Sequence, residues 1–366
     1  MSAASAPLTP PAGSTRTRVM VVDDSVVVRG LVSRWIQETG RYEVVLTAPN
    51  GRAAVEGLER VEPDIVLLDL EMPEMDGITA LPRLLKRRPG LRVIVISTLT
   101  QRNAEISLKC LSLGATDYLA KPESHRQVTT SATFKAELIG KLDALAHARV
   151  PAARPPLRIA AAAPRPLVRP RPVAPRCILI GASTGGPRAV EEVLIGLGSA
   201  INRVPVLVVQ HMPPVFTGVF ADHLRVHVGV RACEPEDGEH LVPGTVYIAP
   251  GGRHMGLSRG MGDPIIRLDD GPPVNFCRPA VDVLFRDAAA IFGSSALAVI
   301  LTGMGSDGTG GCRALVDAGA VVYAQDEATS TIWGMPGSVV KAGLAQDVLP
   351  LNAIGPTIKA LVPGSA

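Results

Sequence analysis

Arg18-Val19-Met20-Val21-Val22-Asp23-Asp24-Ser25 is an apolar run that stops abruptly on two carboxylates. Four consecutive apolar residues suit a strand buried on both faces, as in a parallel sheet covered by helices. Ser25 stands where a helix N-cap belongs. Val28, Leu31, Val32, Trp35 and Ile36 then fall on one face of a helix. The same unit recurs outward from this stretch. Ile65 to Leu68 ends at Asp69, Val93 to Ile96 ends at Ser97, and Ala115 to Ala120 leads into Lys121-Pro122. This βαβα rhythm predicts a doubly wound parallel sheet over about residues 18–138.

A second α/β segment occupies residues 177–366. Cys177 to Ile180 reads as a strand that runs into Gly181-Ala182-Ser183-Thr184-Gly185-Gly186-Pro187, followed by a helix carrying Val190, Val193, Leu194 and Leu197. Val204 to Val209 ends at Gln210-His211, and Leu297 to Leu301 ends at Thr302-Gly303-Met304-Gly305-Ser306-Asp307-Gly308. A further strand is expected over Ala320 to Ala324. Ala232 to Leu268, rich in Gly, Pro and short β-like runs, predicts a hairpin-containing insertion. Between the two segments, residues 139–176 read as a helix end and a linker. Arg149 to Arg176 holds eight prolines and seven arginines with no acidic or aromatic residue. Proline removes donors and fixes φ, so this stretch is expected to be an extended, solvated spacer. Residues 1–17, rich in Ala, Pro, Ser and Thr, read as a disordered tail rather than a signal peptide.

Composition narrows the class. The 366 residues are too many for one ordinary core, and 46% of them are apolar. Only 3% are aromatic, so Val, Leu, Ile and Ala must build the cores. A formal net charge of +3 gives no argument for nucleic acid. The apolar runs are of strand length, far from the roughly 20 residues that span a bilayer. The five cysteines, Cys110, Cys177, Cys233, Cys277 and Cys312, include no C-x-x-C pair and sit in or beside apolar stretches. Buried thiols and a reducing, cytoplasmic setting are therefore expected, without disulfides or a zinc site.

Asp23, Asp24 and Asp69 each follow a strand, and ligands of an open parallel sheet bind at the carboxyl ends of its strands. Three carboxylates gathered there repel one another unless a cation joins them. A hard divalent ion such as Mg²⁺ suits oxygen ligands. Ser97 and Lys121 end neighbouring strands, where a hydroxyl and an ammonium could hold phosphoryl oxygens. Val-Val-Asp-Asp, Leu-Leu-Asp-Leu-Glu-Met-Pro, Ile-Ser-Thr and Ala-Lys-Pro, in this order, resemble the response-regulator receiver family over about Arg18 to Leu138. The resemblance implies a flavodoxin-like receiver in which Asp69 accepts phosphate from a histidine kinase. It also implies Mg²⁺ at Asp23, Asp24 and Asp69, a phosphoryl-reading role for Ser97 and Lys121, and an aromatic switch at Tyr118. Asp76-Gly77 reads as turn chemistry.

Gly181 to Gly185 fits G-x-S-x-G between a strand and a helix, which puts a serine hydroxyl on a sharp turn beside helix N-terminal amides. His211 and Asp307 end two other strands. Serine attacks, histidine takes its proton, and aspartate orients the imidazole. The order Ser, His, Asp differs from the Ser, Asp, His of α/β-hydrolases. His223, His227, His240 and His254 are rival bases. His223 and His227 lie i,i+4 on one helix, which reads as a solvated face since no H-E-x-x-H is present. His254 is either a cleft residue or a plain loop residue, and Asp282 and Asp287 look like ordinary helical carboxylates. Ile-Gly-Ala-Ser-Thr-Gly-Gly-Pro, Gln-His-Met-Pro, Tyr-Ile-Ala-Pro-Gly-Gly-Arg-His, Arg-Pro-Ala-Val-Asp, Leu-Thr-Gly-Met-Gly-Ser-Asp-Gly and Trp-Gly-Met-Pro-Gly closely resemble the chemotaxis protein-glutamate methylesterases, the CheB family, over about Cys177 to Leu361.

That resemblance implies Ser183 as nucleophile, His211 as base and Asp307 as its partner, with Met304 at the oxyanion pocket; Thr184 and His254 are further oxyanion or cleft candidates. It implies hydrolysis of glutamate γ-methyl esters and deamidation of glutamine on membrane chemoreceptors, with a chemotaxis histidine kinase as phosphoryl donor. No cofactor is expected for the ester chemistry, and no nucleic acid or membrane insertion. A DNA-binding output would need a compact basic helix-turn-helix, which the Gly/Pro-punctuated α/β half does not offer. A nucleotide site would need G-x-G-x-x-G, which Gly181 to Gly186 does not match. An inactive hydrolase-like adaptor is opposed by the intact Ser183, His211 and Asp307.

Overall fold

The computed structural model describes residues 16–122, 131–147, 173–260 and 263–364. The first unit runs β1 (Thr17–Val22), α1 (Val26–Glu38), β2 (Tyr42–Ala48), α2 (Gly51–Gly57), β3 (Ile65–Asp69), α3 (Gly77–Arg87), β4 (Arg92–Thr98), α4 (Gln101–Ser112), β5 (Asp117–Lys121) and α5 (Ala132–His147). Its sheet has the order β2-β1-β3-β4-β5 with every pair parallel. Helix starts are fixed locally. Ser25, Asn50, Asp76 and Thr100 each accept a hydrogen bond from the backbone N–H three residues on. Asp76 is therefore a helix cap rather than a simple turn residue. Two boundaries move. Thr17, placed in the tail by composition, opens β1. The boundary drawn at 138 falls inside α5, whose Phe134, Leu138, Leu142 and Leu145 are buried against Val28, Val32, Trp35 and Ile36. The expected tail at 1–15 and most of the proline-arginine spacer lie outside the described residues.

The second unit runs β6 (Cys177–Ala182), α6 (Gly186–Leu197), β7 (Val206–Gln210), α7 (Phe216–His227), β8 (Arg231–Cys233), β9 (Thr245–Ile248), β10 (His254–Arg259), β11 (Pro264–Asp269), α8 (Val281–Phe292), β12 (Ala296–Ile300), α9 (Thr309–Asp317), β13 (Val321–Gln325), α10 (Met335–Lys341), β14 (Asp347–Leu349) and α11 (Leu351–Lys359). Seven strands form one sheet in the order β14-β13-β12-β6-β7-β9-β8. All its pairs are parallel. The chain starts in the middle at β6, builds to one side, then returns to build the other from β12. The junction of β6 and β12 is thus the topological switch point, where open α/β sheets bind ligands. The expected hairpin is present. β10 and β11 form an antiparallel hairpin of their own. β8 and β9, in the same stretch, extend the main sheet: β9 pairs in parallel with both β7 and β8, and β8 forms the sheet edge.

The two units share buried surface. Leu108, Cys110, Leu111 and Tyr118 belong to one apolar cluster with Val190, Val193, Phe216 and Phe220. Ile332 packs into the cluster that holds Phe134 and Leu138.

Candidate active site and phosphoryl site

In the second unit the three chemistry-bearing residues arrive on neighbouring strand ends. Ser183 follows β6, His211 follows β7, and Asp307 lies in the loop after β12, the strands flanking β6 on either side. Registration is tight. Ser183 N–H donates to Thr302 O at 3.0 Å, and His211 N–H donates to Ala182 O at 3.0 Å. The turn after Ser183 closes through Gly185 at φ +74°, a left-handed conformation that a side chain would strain. Gly303 lies so close that a Cβ there would sit 2.8 Å from Ser183 Cβ, so the Gly303-Met304 loop packs directly on the serine.

His211 Nε2 and Asp307 Oδ2 are 2.9 Å apart. A carboxylate only accepts, so in the neutral ring the proton sits on Nε2 and the lone pair is on Nδ1. Nδ1 faces Cys277 Sγ at 3.7 Å. Asp307 is buried and richly bonded. It accepts from Asn275 Nδ2 at 2.8 Å, Val281 N–H at 2.6 Å and Asp282 N–H at 3.3 Å. Burial would raise the Asp307 pKa, but His211, Asn275 and the Val281 amide outweigh it and hold the carboxyl below its ordinary range. For His211 burial disfavours the imidazolium, yet Asp307 and Cys277 outweigh it and raise the pKa to about 9. The hydrogen bonds of Ser183 run through its backbone, and its Oγ has no partner among the described residues. Thr184 and Met304 likewise make no hydrogen bond through their N–H groups among the described residues, so both amides are available to an oxyanion.

The remaining candidates separate. Thr184 is buried, and its Oγ1 donates to Asp117 Oδ2 in β5 at 3.0 Å. Met304 is exposed, its methyl end against Gly140 of α5. His254 is buried, accepting from Ala280 N–H at 3.2 Å while its other ring nitrogen lies 3.1 Å from Pro272 O. Both ring nitrogens thus bond the 272–280 segment, which also carries Asn275 and Cys277. His223 is not on a solvated face: Glu191 Oε2 lies 3.3 Å from its Nε2, and its ring stacks on His227. Asp282 and Asp287 are also more than surface carboxylates. Asp282 accepts from Gly311 N–H at 2.7 Å and Asn275 Nδ2 at 3.1 Å, and Asp287 accepts from Leu257 N–H at 3.0 Å. Asn275 was not singled out in sequence, and Cys277 was read only as one of five buried thiols, whereas it and Cys233 are partly exposed. Asn275 and Cys277 lie in an irregular Gly/Pro-flanked loop with no period to place them.

In the first unit Asp23, Asp24 and Asp69 bring carboxylate oxygens within 4.8 Å of one another. Lys121 Nζ donates to Asp69 at 2.7 Å and to Asp23 at 3.4 Å. Burial raises the Asp69 carboxyl to about 7, with Asp23 adding to it and Lys121 opposing it. Ser97 Oγ is buried at the end of β4 and pairs with Ser107 Oγ at 2.8 Å. Tyr118 does not face this cluster. Its ring stacks on Phe216 of the other unit, centroids 4.7 Å apart.

Residues 178–358 match the family described as CheB methylesterase, and residues 19–133 match the response regulator receiver domain. A protein-glutamate methylesterase/protein-glutamine glutaminase of group 2 operon from Rhodopseudomonas palustris is 48% identical over 99% of this chain and 98% of its own length. The chain belongs to the CheB methylesterase family. A protein-glutamate methylesterase/protein-glutamine glutaminase of Nitrobacter hamburgensis is 51% identical over 95% of this chain and 94% of its own. The crystal structure of the Thermotoga maritima CheB methylesterase catalytic domain matches all of that domain and 52% of this chain, with a TM-score of 0.50 and 43% identity. The CheB-family assignment thus spans both the receiver and the Ser183 unit.

Proposed function

We infer that this protein is a phosphorylation-controlled protein-glutamate methylesterase and protein-glutamine glutaminase of a chemotaxis system. The observation that carries the reading is the His211–Asp307 pair beside the Ser183 turn at adjacent strand ends. Ser183 Oγ attacks the γ-carbonyl carbon of an esterified glutamate and gives its proton to His211 Nδ1. Negative charge on the carbonyl oxygen is received by the N–H groups of Thr184 and Met304. The imidazolium, steadied by Asp307, returns the proton to the departing methoxide, which leaves as methanol. Water then attacks the acyl-serine with His211 again as base, releasing glutamate and restoring Ser183. With glutamine the leaving group is ammonia and the acyl steps are the same. The substrates are glutamyl side chains of membrane chemoreceptors. The enzyme acts on the receptor from the cytoplasm; among the described residues no helix is long and apolar enough to cross a membrane.

Control follows from the first unit. Asp69 is the phosphoacceptor for a chemotaxis histidine kinase. Three carboxylates against one lysine leave uncompensated negative charge, and an all-oxygen donor set fits Mg²⁺ held by Asp23, Asp24 and Asp69. The ion supplies charge neutralisation for the incoming phosphoryl group. Lys121 and Ser97 then hold phosphoryl oxygens. The unphosphorylated receiver is placed to restrain the esterase. β5 bonds Thr184, next to the nucleophile, through Asp117, Tyr118 stacks on Phe216, and α5 lies against Met304. Phosphorylation shifts the population away from this docked arrangement.

The test is release of labelled methanol from methylated receptor membranes. Wild type should release it and should be stimulated by a small phosphoryl donor. Ser183→Ala should lose roughly 10⁴-fold or more of the rate. Wild type inert under both conditions would defeat the reading.

A further inference from the structure

Val274 and Cys277 face each other across a two-residue turn, exchanging backbone hydrogen bonds of 3.0 and 2.9 Å. The two central residues, Asn275 and Phe276, have φ of +52° and +64°. Positive φ at both centres is the type I′ pattern, which takes Asn readily at the first position and Gly at the second. Phe at the second position is strained by its Cβ. The same ring is fully exposed. It therefore gains nothing from the protein's own core, while its backbone would be better served by glycine.

The turn is also anchored to the catalytic set on both sides of Phe276. Asn275 Nδ2 donates to Asp307 Oδ1 at 2.8 Å and Cys277 Sγ lies 3.7 Å from His211 Nδ1. A strained residue persists when its surroundings over-determine it, and such residues gather at functional sites. Here the over-determination is supplied by the His211–Asp307 pair itself. The backbone of Phe276 is thus held between two residues that touch Asp307 and His211, while its ring projects into solvent outside the esterase core.

We propose that Phe276 is a substrate-docking residue that takes an apolar side chain of the polypeptide flanking the modified glutamate. A phenyl ring has no polar atom, so it can gain only from an apolar surface that covers it. A methyl ester or a free amino acid is too small to do so, whereas a protein substrate brings neighbouring residues. This rests on the esterase reading above and adds how the enzyme grips a protein substrate.

Full-length Phe276→Gly, Phe276→Ala and Phe276→Tyr answer it with three readouts. The first is KM and kcat for methanol release from methylated receptor membranes under saturating phosphoryl donor. The second is the rate at which a small fluorophosphonate labels Ser183. The third is the thermal midpoint. Phe276→Ala and Phe276→Gly should raise KM at least about fivefold with fluorophosphonate labelling unchanged, and Phe276→Tyr should keep the wild-type KM. Phe276→Gly should melt no lower than wild type, since glycine suits the turn. An unchanged KM in Phe276→Ala overturns the proposal. So does a lower midpoint in Phe276→Gly, or slowed labelling in step with KM, because either makes the ring a structural prop. Loss of labelling in the wild type would instead strike the esterase reading itself.

Discussion

At the scale of single residues, the site is governed by what surrounds His211. Its raised pKa of about 9 comes from Asp307 and Cys277 outweighing burial. The base form is the neutral ring, so kcat/KM should rise with pH toward about 9 and level off above it. Stability runs the opposite way. The pair's contribution is fully present below the ordinary histidine pKa of about 6.5 and is lost as pH rises through about 9. Cys277→Ala removes one of the two groups that favour the imidazolium. Its pH–rate profile should therefore shift its acid limb to lower pH, read as kcat/KM across a buffer series. An unshifted limb would show that Cys277 does not tune the base. Asn275→Ala leaves one Asp307 oxygen a donor short and should lower kcat roughly tenfold, equivalent to about 1.4 kcal/mol. Ser183 and His211 were readable in the sequence because each stands within a residue or two of the end of an apolar run, and Asp307 because it lies in the Gly-rich loop that follows another. Asn275 and Cys277 were not, because no periodicity fixes where an irregular loop will touch a residue 32 or 66 positions away.

At the scale of elements, the strands and helices were legible where buried parallel strands made continuous apolar runs. β1, β3, β4, β6, β7, β12 and β13 fall within a residue or two of the runs that announced them. β8 and β9 were not read as separate strands, because short strands in Gly/Pro-rich sequence give no periodicity that shows which strand they pair with. The caps are the most local of these signals. Asp76 accepts from Thr79 N–H at 2.9 Å at the start of α3, and the next residue, Gly77, packs where a Cβ would sit 2.2 Å from Asp69 O. Asp76→Ala should cost about 1 kcal/mol of receiver stability, measured by urea unfolding, while Asp69 still accepts phosphate from a small donor. Gly77→Ala should be far more disruptive, because its Cβ would meet the backbone of Asp69 itself. Equal effects of the two substitutions would mean that α3 is not fixed by this close approach.

At the scale of the whole molecule, the seam between the units was the least legible feature. Tyr118 and Phe216 sit in apolar stretches that read as core, and nothing in either stretch says that the core continues into another domain. Yet the contacts converge on residues near Ser183 and His211. Asp117 holds Thr184, and the Tyr118 ring lies on Phe216 five residues beyond His211. If this docking is what restrains the enzyme, weakening it should mimic phosphorylation. A stacked aromatic pair is worth about 0.5–1.5 kcal/mol beyond its buried area. Tyr118→Ala should therefore raise unstimulated methanol release by about two- to tenfold and shrink the further gain from a phosphoryl donor. A chain beginning at Arg176, which lacks the receiver altogether, should exceed both and should not respond to the donor. The two variants separate a mechanical restraint from an intrinsic one. If the shortened chain is no faster than the unphosphorylated whole, the receiver does not hold the esterase back. If the shortened chain is fast but Tyr118→Ala is not, the restraint is carried by Asp117, Lys141 and Thr184 rather than by the stack. Lys141 lies on α5 and pairs with the same Asp117 carboxylate that Thr184 reaches. A movement of α5 or β5 on phosphorylation would then act first on the hydroxyl next to Ser183.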